Sequence, residues 1–292
     1  MTTQLYKPSF VLLAALSLLP LSASAEQLLG ANLASFSVLA GGYATYGASA
    51  MIGGNVGAID YVVGGAGSKT AGDFTNTPLV NSALSELSSA QNNLKSLGNG
   101  TALSTSMTGS LTFAPGVYSA SSITIVAGTN IVFDGGGLSD PFWVFNIPTY
   151  LVTGAGTTMS IKNAGSNAQI AWNTGGYATL GADTQFVGAI VSGGYINSAA
   201  GANIFCGNAF ASGYISVAAG SAINSTNCGA TDTWAGSVNG LGSNMDIVNG
   251  AVVPISSGYR QSVVQVPEPK AYLLLLAGLC LIGMMAKRRK DW

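Results

Sequence analysis

Catalysis by this chain would have to rely on carboxylates, because the sequence contains no histidine. Histidine is the usual acid–base group near neutral pH and the commonest ligand of transition metals. A glycosidase needs two carboxyl groups within about 10 Å, one of them with a raised pKa. The aspartates are instead scattered and flanked by Gly, Ser or Asn, as turn residues are. The candidates are Asp134, Asp140, Asp183, Asp232 and Asp246. The sequence therefore predicts a protein that is not an enzyme, with a carbohydrate-active enzyme as a distant alternative.

The segment Asp134-Gly135-Gly136-Gly137 is the one stretch that resembles the start of a calcium loop. A calcium loop also needs further oxygen ligands at regular spacing, and these are missing from the sequence that follows. A tight turn is the better interpretation. We predict no metal and no other cofactor.

A repeated tyrosine is the second feature that could carry a function. Tyr177, Tyr195 and Tyr214 lie 18 and 19 residues apart and open three similar segments. These read Gly-Tyr-Ala-Thr-Leu-Gly-Ala, Gly-Tyr-Ile-Asn-Ser-Ala-Ala-Gly and Gly-Tyr-Ile-Ser-Val-Ala-Ala-Gly. β-formers repeated at this period with glycine between them indicate stacked coils that cannot bury a core singly.

Alternation along each repeated strand divides its residues between two faces. Ala178, Ile196 and Ile215 are predicted to point inward. The outward set comprises the three tyrosines together with Thr179, Asn197 and Ser216. Stacked coils would align them into a strip of phenol rings beside a row of hydroxyl and amide groups, about 4.8 Å apart per coil. The strip is either an ordinary cross-strand ladder that stabilises the sheet or a binding surface for ice or for the rings of a polysaccharide.

One soluble helix is predicted over residues 78–97. Thr77 can cap its start, Pro78 suits its first turn and Gly98 suits its end. Positions at helical spacing are apolar except for Gln91; the others are Val80, Leu84, Leu87, Leu94 and Leu97. We expect the helix to cover one apolar side of the coils. Binding of a partner is the alternative role.

The beginning of the domain carries a coil of the same kind as its end. Gly42–Ala48 matches Gly176–Ala182 at six of seven positions, and Val56–Ile59 is repeated as Val187–Ile190. A single solenoid that is built from both ends of the domain explains this duplication best.

Residues 1–25 are typical of a secretory signal peptide. Lys7 precedes the apolar run Phe10–Leu21, and Ala23-Ser24-Ala25 supplies a small-residue cleavage pattern after Ala25. An N-terminal membrane anchor is the alternative, but the apolar run is short for a span.

The C-terminus carries a second processing pattern over residues 266–292. Pro267-Glu268-Pro269 is followed by an uncharged apolar segment, 271–286, that predicts a transmembrane helix, and then by a basic cluster that includes Arg288 and Arg289. A plain tail anchor would share part of this pattern. The three parts in this order resemble the PEP-CTERM sorting signal of Gram-negative bacteria. That resemblance implies transient insertion in the inner membrane, processing by an exosortase, and delivery to the cell surface or extracellular matrix.

Charge and cysteine content fit an exported protein. Between residues 26 and 266, four basic residues stand against nine acidic ones, which leaves −5 and no electrostatic footprint for nucleic acid. Cys206 and Cys228 lie on neighbouring coils, and we predict a disulfide that contributes roughly 3 kcal/mol in the chain-entropy model. Two buried free thiols are the alternative.

A series of short motifs resembles the bacterial ice-binding-protein-like domain. In order these are Phe113–Tyr118, Phe142–Ile147, Leu151–Thr153, Ile161–Ala164, Ala171-Trp172, Thr179–Gly181 and Phe186–Ile190. The resemblance covers about residues 30–228. It implies a right-handed parallel β-helix with one long α-helix alongside and N-terminal coils that pack beside later ones. We assign residues 26–235 to this domain and 236–265 to a Gly/Ser/Asn-rich spacer. The choice-of-anchor proteins, which also carry Gly-rich β segments ahead of such tails, are a second resemblance.

The family resemblance implies a non-enzymatic protein that binds ice or another extracellular surface through a flat face. Active family members often carry repeated Thr-(Ala/Gly)-x-(Thr/Asn) patterns on that face, and this chain departs from them. Its Thr-x-Thr sequences are Thr75-Asn76-Thr77 and Thr231-Asp232-Thr233, both expected in loops. A structural matrix or biofilm component that packs on exopolysaccharide is the alternative function.

Overall fold

Three parallel sheets form the walls of a β-helix in the computed structural model, which describes residues 30–165, 168–225, 245–248 and 251–254. Each coil of the chain contributes one strand to each sheet in turn. The predicted β-helix with one long helix is therefore confirmed.

The described elements are short strands, one 3-10 turn at Leu33–Ser35 and one α-helix, α1, at Pro78–Ser96. In chain order the strands are β1 Phe36–Ala40, β2 Ala44–Tyr46, β3 Met51–Ile52, β4 Asn55–Ala58, β5 Val62–Gly64, β6 Gly72–Thr75, β7 Thr101–Ala102, β8 Ser106–Met107, β9 Ser110–Phe113, β10 Gly116–Ser119, β11 Ile123–Ile125, β12 Asn130–Asp134, β13 Phe142–Ile147, β14 Tyr150–Thr153, β15 Thr158–Lys162, β16 Gln169–Thr174, β17 Tyr177–Leu180, β18 Gln185–Val187, β19 Ala189–Ser192, β20 Ile196–Ser198, β21 Asn203–Phe205, β22 Ala209–Ala211, β23 Ile215–Val217, β24 Ala222–Ser225, β25 Met245–Val248 and β26 Ala251–Pro254.

The sheets contain nine, eight and seven strands. The helix-covered sheet has the order β6-β4-β1-β22-β19-β16-β13-β10-β7. The tyrosine sheet follows it in each coil, with the order β5-β2-β23-β20-β17-β14-β11-β8. The third sheet has the order β3-β24-β21-β18-β15-β12-β9.

The first coil of the chain stacks directly on the last, as the duplicated segments predict. β1 pairs with β22, β2 with β23 and β3 with β24, all in parallel. The chain then adds β4, β5 and β6 at that end and must return to the opposite end, where β7 begins. Helix α1 makes this return. Its 19 residues span about 28 Å at 1.5 Å per residue, or roughly six strand spacings.

Helix α1 begins and ends close to the predicted residues. The Thr77 hydroxyl accepts a hydrogen bond from the Val80 amide at 3.2 Å, Pro78 occupies the first turn, and Gly98 beyond the end has a φ of +79°. The fully buried face consists of Val80, Ala83, Leu87, Ala90 and Leu94. Leu84 and Leu97, which were also predicted on this face, are only partly buried.

This helix face packs on outward side chains of the helix-covered sheet. The sheet residues in the cluster include Leu39, Val144, Ala171, Val191 and Phe210, one from each of five adjacent strands. Midway along the helix, the Glu86 carboxylate accepts hydrogen bonds from the Leu33 amide at 2.7 Å and the Asn32 side chain at 2.6 Å. The predicted covering role of the helix is thus confirmed.

The interior of the β-helix is filled by a second apolar cluster that the three sheets enclose. Its middle is aromatic, with Phe145 stacked on Trp172 at 4.0 Å between ring centroids. The indole nitrogen of Trp143 donates to the backbone carbonyl of Phe113, and that of Trp172 donates to the carbonyl of Val187, each at 3.0 Å. The N–H groups of these buried indoles therefore have hydrogen-bond acceptors within the core.

Two segments differ from the sequence expectations. Thr75 ends strand β6 and Thr77 caps the helix, so the first Thr-x-Thr sequence is not simply a loop. Strands β25 and β26 form an antiparallel pair within the predicted spacer.

Within the described part of the chain, no helix has the length and apolarity that a membrane crossing requires. The predicted tail helix at 271–286 lies outside the described residues.

Candidate functional site

The predicted tyrosine strip exists and contains six rings. Its order along the tyrosine sheet is Tyr61, Tyr43, Tyr214, Tyr195, Tyr177 and Tyr150. Neighbouring ring centroids are 4.9–5.4 Å apart and the ring planes deviate by only 4–15°. We call this row the tyrosine column. The sequence analysis placed three of these rings on the strip, and the stacked coils add three more.

The stacking follows directly from the strand register. Tyr150 pairs with Tyr177, while Ala178 pairs with Ile196 and Ile196 with Ile215. The last three residues are buried, which confirms their predicted inward orientation. Because alternation sends the preceding residue of each strand to the opposite side, the tyrosines stand on the outer face.

A second outward column runs parallel to the rings, two residues further along each strand. From one end it reads Val63, Thr45, Ser216, Asn197, Thr179, Val152, Thr124 and Ser106. Thr179 pairs with Asn197 and Asn197 with Ser216, so the predicted hydroxyl and amide row is present. We call it the hydroxyl column. Val152 interrupts it, and Val63 stands at its end.

The outer face of the tyrosine sheet carries no charge along its described strands. No described helix lies over it, because α1 packs on the neighbouring sheet. The described molecule therefore presents one straight, uncharged face on which two columns repeat at the strand spacing.

Glycine lets the chain turn onto this face without pushing the coils apart. Gly176 and Gly194 precede Tyr177 and Tyr195, and a Cβ on Gly194 would press against the Gly176 carbonyl oxygen. The Gly-Tyr pairs that mark the repeat are thus a steric requirement of the corner.

Packing within the column changes the acidity of the phenols. The pKa values of Tyr43 and Tyr195 are raised, chiefly by partial removal from water and secondarily by repulsion between neighbouring phenolate charges. These two phenols are therefore neutral at physiological pH. Mutual stacking also covers their faces, so that the internal rings expose edges and hydroxyl groups.

Asp134, the first of the candidate carboxylates, is held in a turn. Asp134 ends β12, where its carboxylate accepts hydrogen bonds from the Gly136 amide and the Asn163 side chain, both at 3.1 Å, and contacts the Lys162 ammonium at 3.2 Å. These contacts lower its pKa, with the Gly136 hydrogen bond the largest cause, and a general acid needs the opposite shift. The Asp134–Gly137 segment is a turn, as the positive φ angles of Gly136 and Gly137 indicate.

Of the other candidate aspartates, Asp140 and Asp183 are described, whereas the side chains of Asp232 and Asp246 are not. Asp183 occupies a corner with a φ of +55°, and Asp140 accepts a hydrogen bond from Ser139. Asp232 lies outside the described residues, and Asp246 belongs to β25, whose side chains are not described. Within the described residues, no group of three or more His, Cys, Asp or Glu side chains is arranged to hold a metal ion.

The structure describes one of the two cysteines of the predicted disulfide. Cys206 is 2 % exposed and disulfide-bonded. Its predicted partner Cys228 lies outside the described residues, so this pairing stays a prediction. Ala25, Pro267, Glu268, Pro269, Arg288 and Arg289 also lie outside them.

The fold is a parallel β-helix with one wall covered by a helix and one bare, regular wall. The ice-binding-like family profile matches residues 28–252, and a PEP-CTERM protein-sorting motif matches residues 265–290. The chain belongs to the ice-binding-like family.

Two curated relatives are similar to parts of the chain. An ice-binding protein of Nostoc sp. (strain HG1) is 34% identical over 136 residues, which are 47% of this chain and 50% of that protein. Ice-binding protein 1 of Shewanella frigidimarina (strain NCIMB 400) is 34% identical over 98 residues, 33% of this chain and 11% of that protein. The chain thus aligns with half or less of these relatives' length.

Solved structures share the fold. The ice-binding protein of the Antarctic ascomycete Antarctomyces psychrotrophicus has a TM-score of 0.57 at 22% identity, covering 68% of this chain and 98% of that one. A domain of Shewanella frigidimarina ice-binding protein 1 has a TM-score of 0.57 at 24% identity, covering 68% and 96%.

Proposed function

We propose that this protein binds ice through the tyrosine sheet. The observation that carries the proposal is the pair of straight columns on a bare, uncharged face, with rings repeating every 4.9–5.4 Å. Membership of the ice-binding-like family and similarity to two ice-binding proteins support the same function.

The chemistry of the two columns suits an ordered layer of water. Phenol edges and valine side chains are mildly apolar, whereas phenol, threonine and serine hydroxyls both donate and accept hydrogen bonds. Repetition at the strand spacing turns these groups into a regular array. A rigid parallel sheet holds the array without further loss of side-chain entropy on binding.

An extracellular matrix role is the second candidate, and the sorting motif at 265–290 favours it. In this role the face would pack on exopolysaccharide or on copies of the protein. Sugar rings bind aromatic faces, however, and the internal tyrosines cover one another's faces. Only Tyr61, which is 45% exposed, and Tyr150 end the column and have a face without a stacked tyrosine. The column itself therefore suits water better than sugar rings.

A protruding side chain in the hydroxyl column tests the proposal. In Thr179→Tyr or Asn197→Tyr the added ring would stand above the flat face, and we expect loss of recrystallisation inhibition and of partition into ice. Gln185→Tyr is the matched control, because Gln185 is exposed in the same coil as Thr179 but on the third sheet. Urea midpoints establish that all variants remain folded.

Two results would contradict ice binding. The first is an unmodified protein that neither partitions into ice nor inhibits recrystallisation. The second is equal activity in Asn197→Tyr and Gln185→Tyr, which would move the active surface away from this face. Retention on exopolysaccharide without any ice activity would instead support the matrix role.

We also propose that the chain is exported and sorted to the cell surface of a Gram-negative bacterium. Cleavage after Ala25 would release the leader, and an exosortase would process the tail near Pro267-Glu268-Pro269 while Arg288 and Arg289 hold its end on the cytoplasmic side of the inner membrane. The secreted form should begin at Glu26 and lack the tail. A Glu268→Ala protein that is still shortened and released to the surface would contradict processing at this motif.

A further inference from the structure

Helix α1 leaves part of its sheet uncovered, and a cleft of about 630 Å³ opens there. It lies between the C-terminal half of the helix and the ends of β7, β10, β13 and β16. Small-molecule sites commonly have volumes of about 300–1,000 Å³. The cleft is therefore large enough for a small ligand and is separate from the tyrosine column, none of whose rings lines it.

A change of residue type within a single column of the helix-covered sheet creates the cleft. Leu39, Phe210 and Val191 are paired in register and pack against the helix. The next residues in the same column are Asn173 and Asn146. Within this column the outward surface thus changes from apolar to amide over one strand spacing, whereas Val144 and Ala171, two residues earlier on the same strands, keep the apolar contact with the helix.

The two asparagines are held in place by the helix and by each other. Asn146 Nδ2 donates to the carbonyls of Leu94 and Gly98, at 2.8 and 3.1 Å. Asn173 Nδ2 donates to Asn146 Oδ1 at 2.9 Å and to the Gln91 carbonyl at 3.3 Å. Because these bonds satisfy carbonyls at the helix end, the floor of the cleft is rigid before any ligand arrives.

Gln91 interrupts the otherwise apolar stripe of α1, and the cleft gives this exception a role. Its amide nitrogen Nε2 is shielded from solvent and has no hydrogen-bond partner among the described protein atoms. A buried donor without a partner is destabilising. Gln91 also lines the cleft, so rotation of its amide toward the opening would let a ligand acceptor supply the missing partner.

The lining combines hydrogen-bonding and apolar surfaces. Gln91, Asn99 and Ser119 contribute amide and hydroxyl groups, and Ala102 and Pro148 contribute apolar surface. Lys95 is the only charged residue among the described residues that line it. Amides and hydroxyls both donate and accept, as sugar hydroxyls do, while the apolar parts match the C–H face of a sugar ring.

We propose that this cleft binds one sugar unit of a glycan, independently of ice binding by the tyrosine sheet. The test is calorimetric titration of the full-length protein with glucose, galactose, N-acetylglucosamine and glucuronate. We expect saturable binding of at least one sugar. In Gln91→Leu, which restores the apolar stripe, the affinity should fall by a factor of ten or more.

Asn81→Leu is the matched control, because Asn81 is exposed near the other end of the same helix and does not line the cleft. It should bind sugar as the unmodified protein does. Asn99→Ala, at an exposed position of the cleft, is a second variant that does not disturb the helix packing, and it should also weaken binding.

Three outcomes would overturn the proposal. These are no saturable binding by any of the four sugars, full affinity in both Gln91→Leu and Asn99→Ala, or binding that is lost in Asn197→Tyr but kept in Gln91→Leu. The last result would place the glycan on the tyrosine sheet. Since ice activity is measured separately, failure of the cleft proposal leaves the proposed function untouched.

Discussion

The helix-covered sheet and the tyrosine sheet are two walls of the same coils, yet one is buried and the other is bare. Outward residues of the first, such as Phe210 and Val191, are apolar and lie under α1. Outward residues in the same coils on the second, such as Ser216 and Asn197, carry hydroxyl or amide groups. Strand geometry is shared, so the difference lies in side-chain chemistry alone. One wall is part of the core and the other is a surface on which water can be arranged.

The largest expected difference between the walls is in stability. Phe210→Ala removes a fully buried ring from beneath α1 and should lower the free energy of unfolding by about 3–5 kcal/mol. Ser216→Ala, in the same coil on the tyrosine sheet, should change it by about 0.5 kcal/mol or less. Urea denaturation of both variants makes the comparison. Similar losses would mean that the bare wall is stabilised by contacts as extensive as those under the helix.

A smaller effect is expected at the corner that joins the two walls. In Gly194→Ala the new methyl group would meet the backbone of Gly176, which cannot move without separating two coils. We expect a loss of about 1–3 kcal/mol, as for overpacked sites, and a weaker near-ultraviolet circular dichroism signal from the stacked tyrosines. Ser212→Ala, at an exposed corner position that already has a Cβ, is the control and should behave like the unmodified protein.

The smallest effect concerns alkaline pH and only the tyrosine sheet. The raised pKa values of Tyr43 and Tyr195 mean that the folded state holds these protons more tightly than the unfolded state, whose tyrosines titrate near pH 10. Their stabilising contribution is complete below that pH and is lost as the pH rises through the folded pKa values. Tm should therefore decline above about pH 10.

Replacing Tyr43 and Tyr195 by Phe should flatten that alkaline decline, and tyrosinate absorbance should appear later in the folded protein than in urea. Tyr46 lies outside the column and contributes a separate alkaline titration to this measurement. It donates to the Asp73 carboxylate, and burial together with this bond raises its pKa to about 12. If the decline of Tm with pH were the same in the unmodified protein and in the Phe variant, the column would not influence alkaline stability.

The fold could be predicted because its signals are local and repeated. The Gly-Tyr segments and the duplicated Gly42–Ala48 identify the coils, and Thr77, Pro78 and Gly98 mark the helix. Two of the six tyrosines in the column could not be placed in the same way. Tyr61 and Tyr150 follow Asp60 and Thr149, not glycine, so only the strand register brings them into line.

The cleft could not be predicted from the sequence, for a related reason. Asn146 and Asn173 are 27 residues apart in sequence but pair side by side in the sheet, and both contact the end of a distant helix. The one visible signal was Gln91, a polar residue in an apolar stripe. Its meaning depends on which coil the helix ends over, and periodicity does not specify that.

Placing the first coil against the last also governs the order in which this chain can fold. Thr45 bonds to Ser216 across 171 positions, and the Asn208 side chain bonds to the Phe36 carbonyl across 172. A chain that is synthesised from its N-terminus has its opening strands long before their partners arrive. Completion of the stack must therefore wait until the strands near residue 216 have been made.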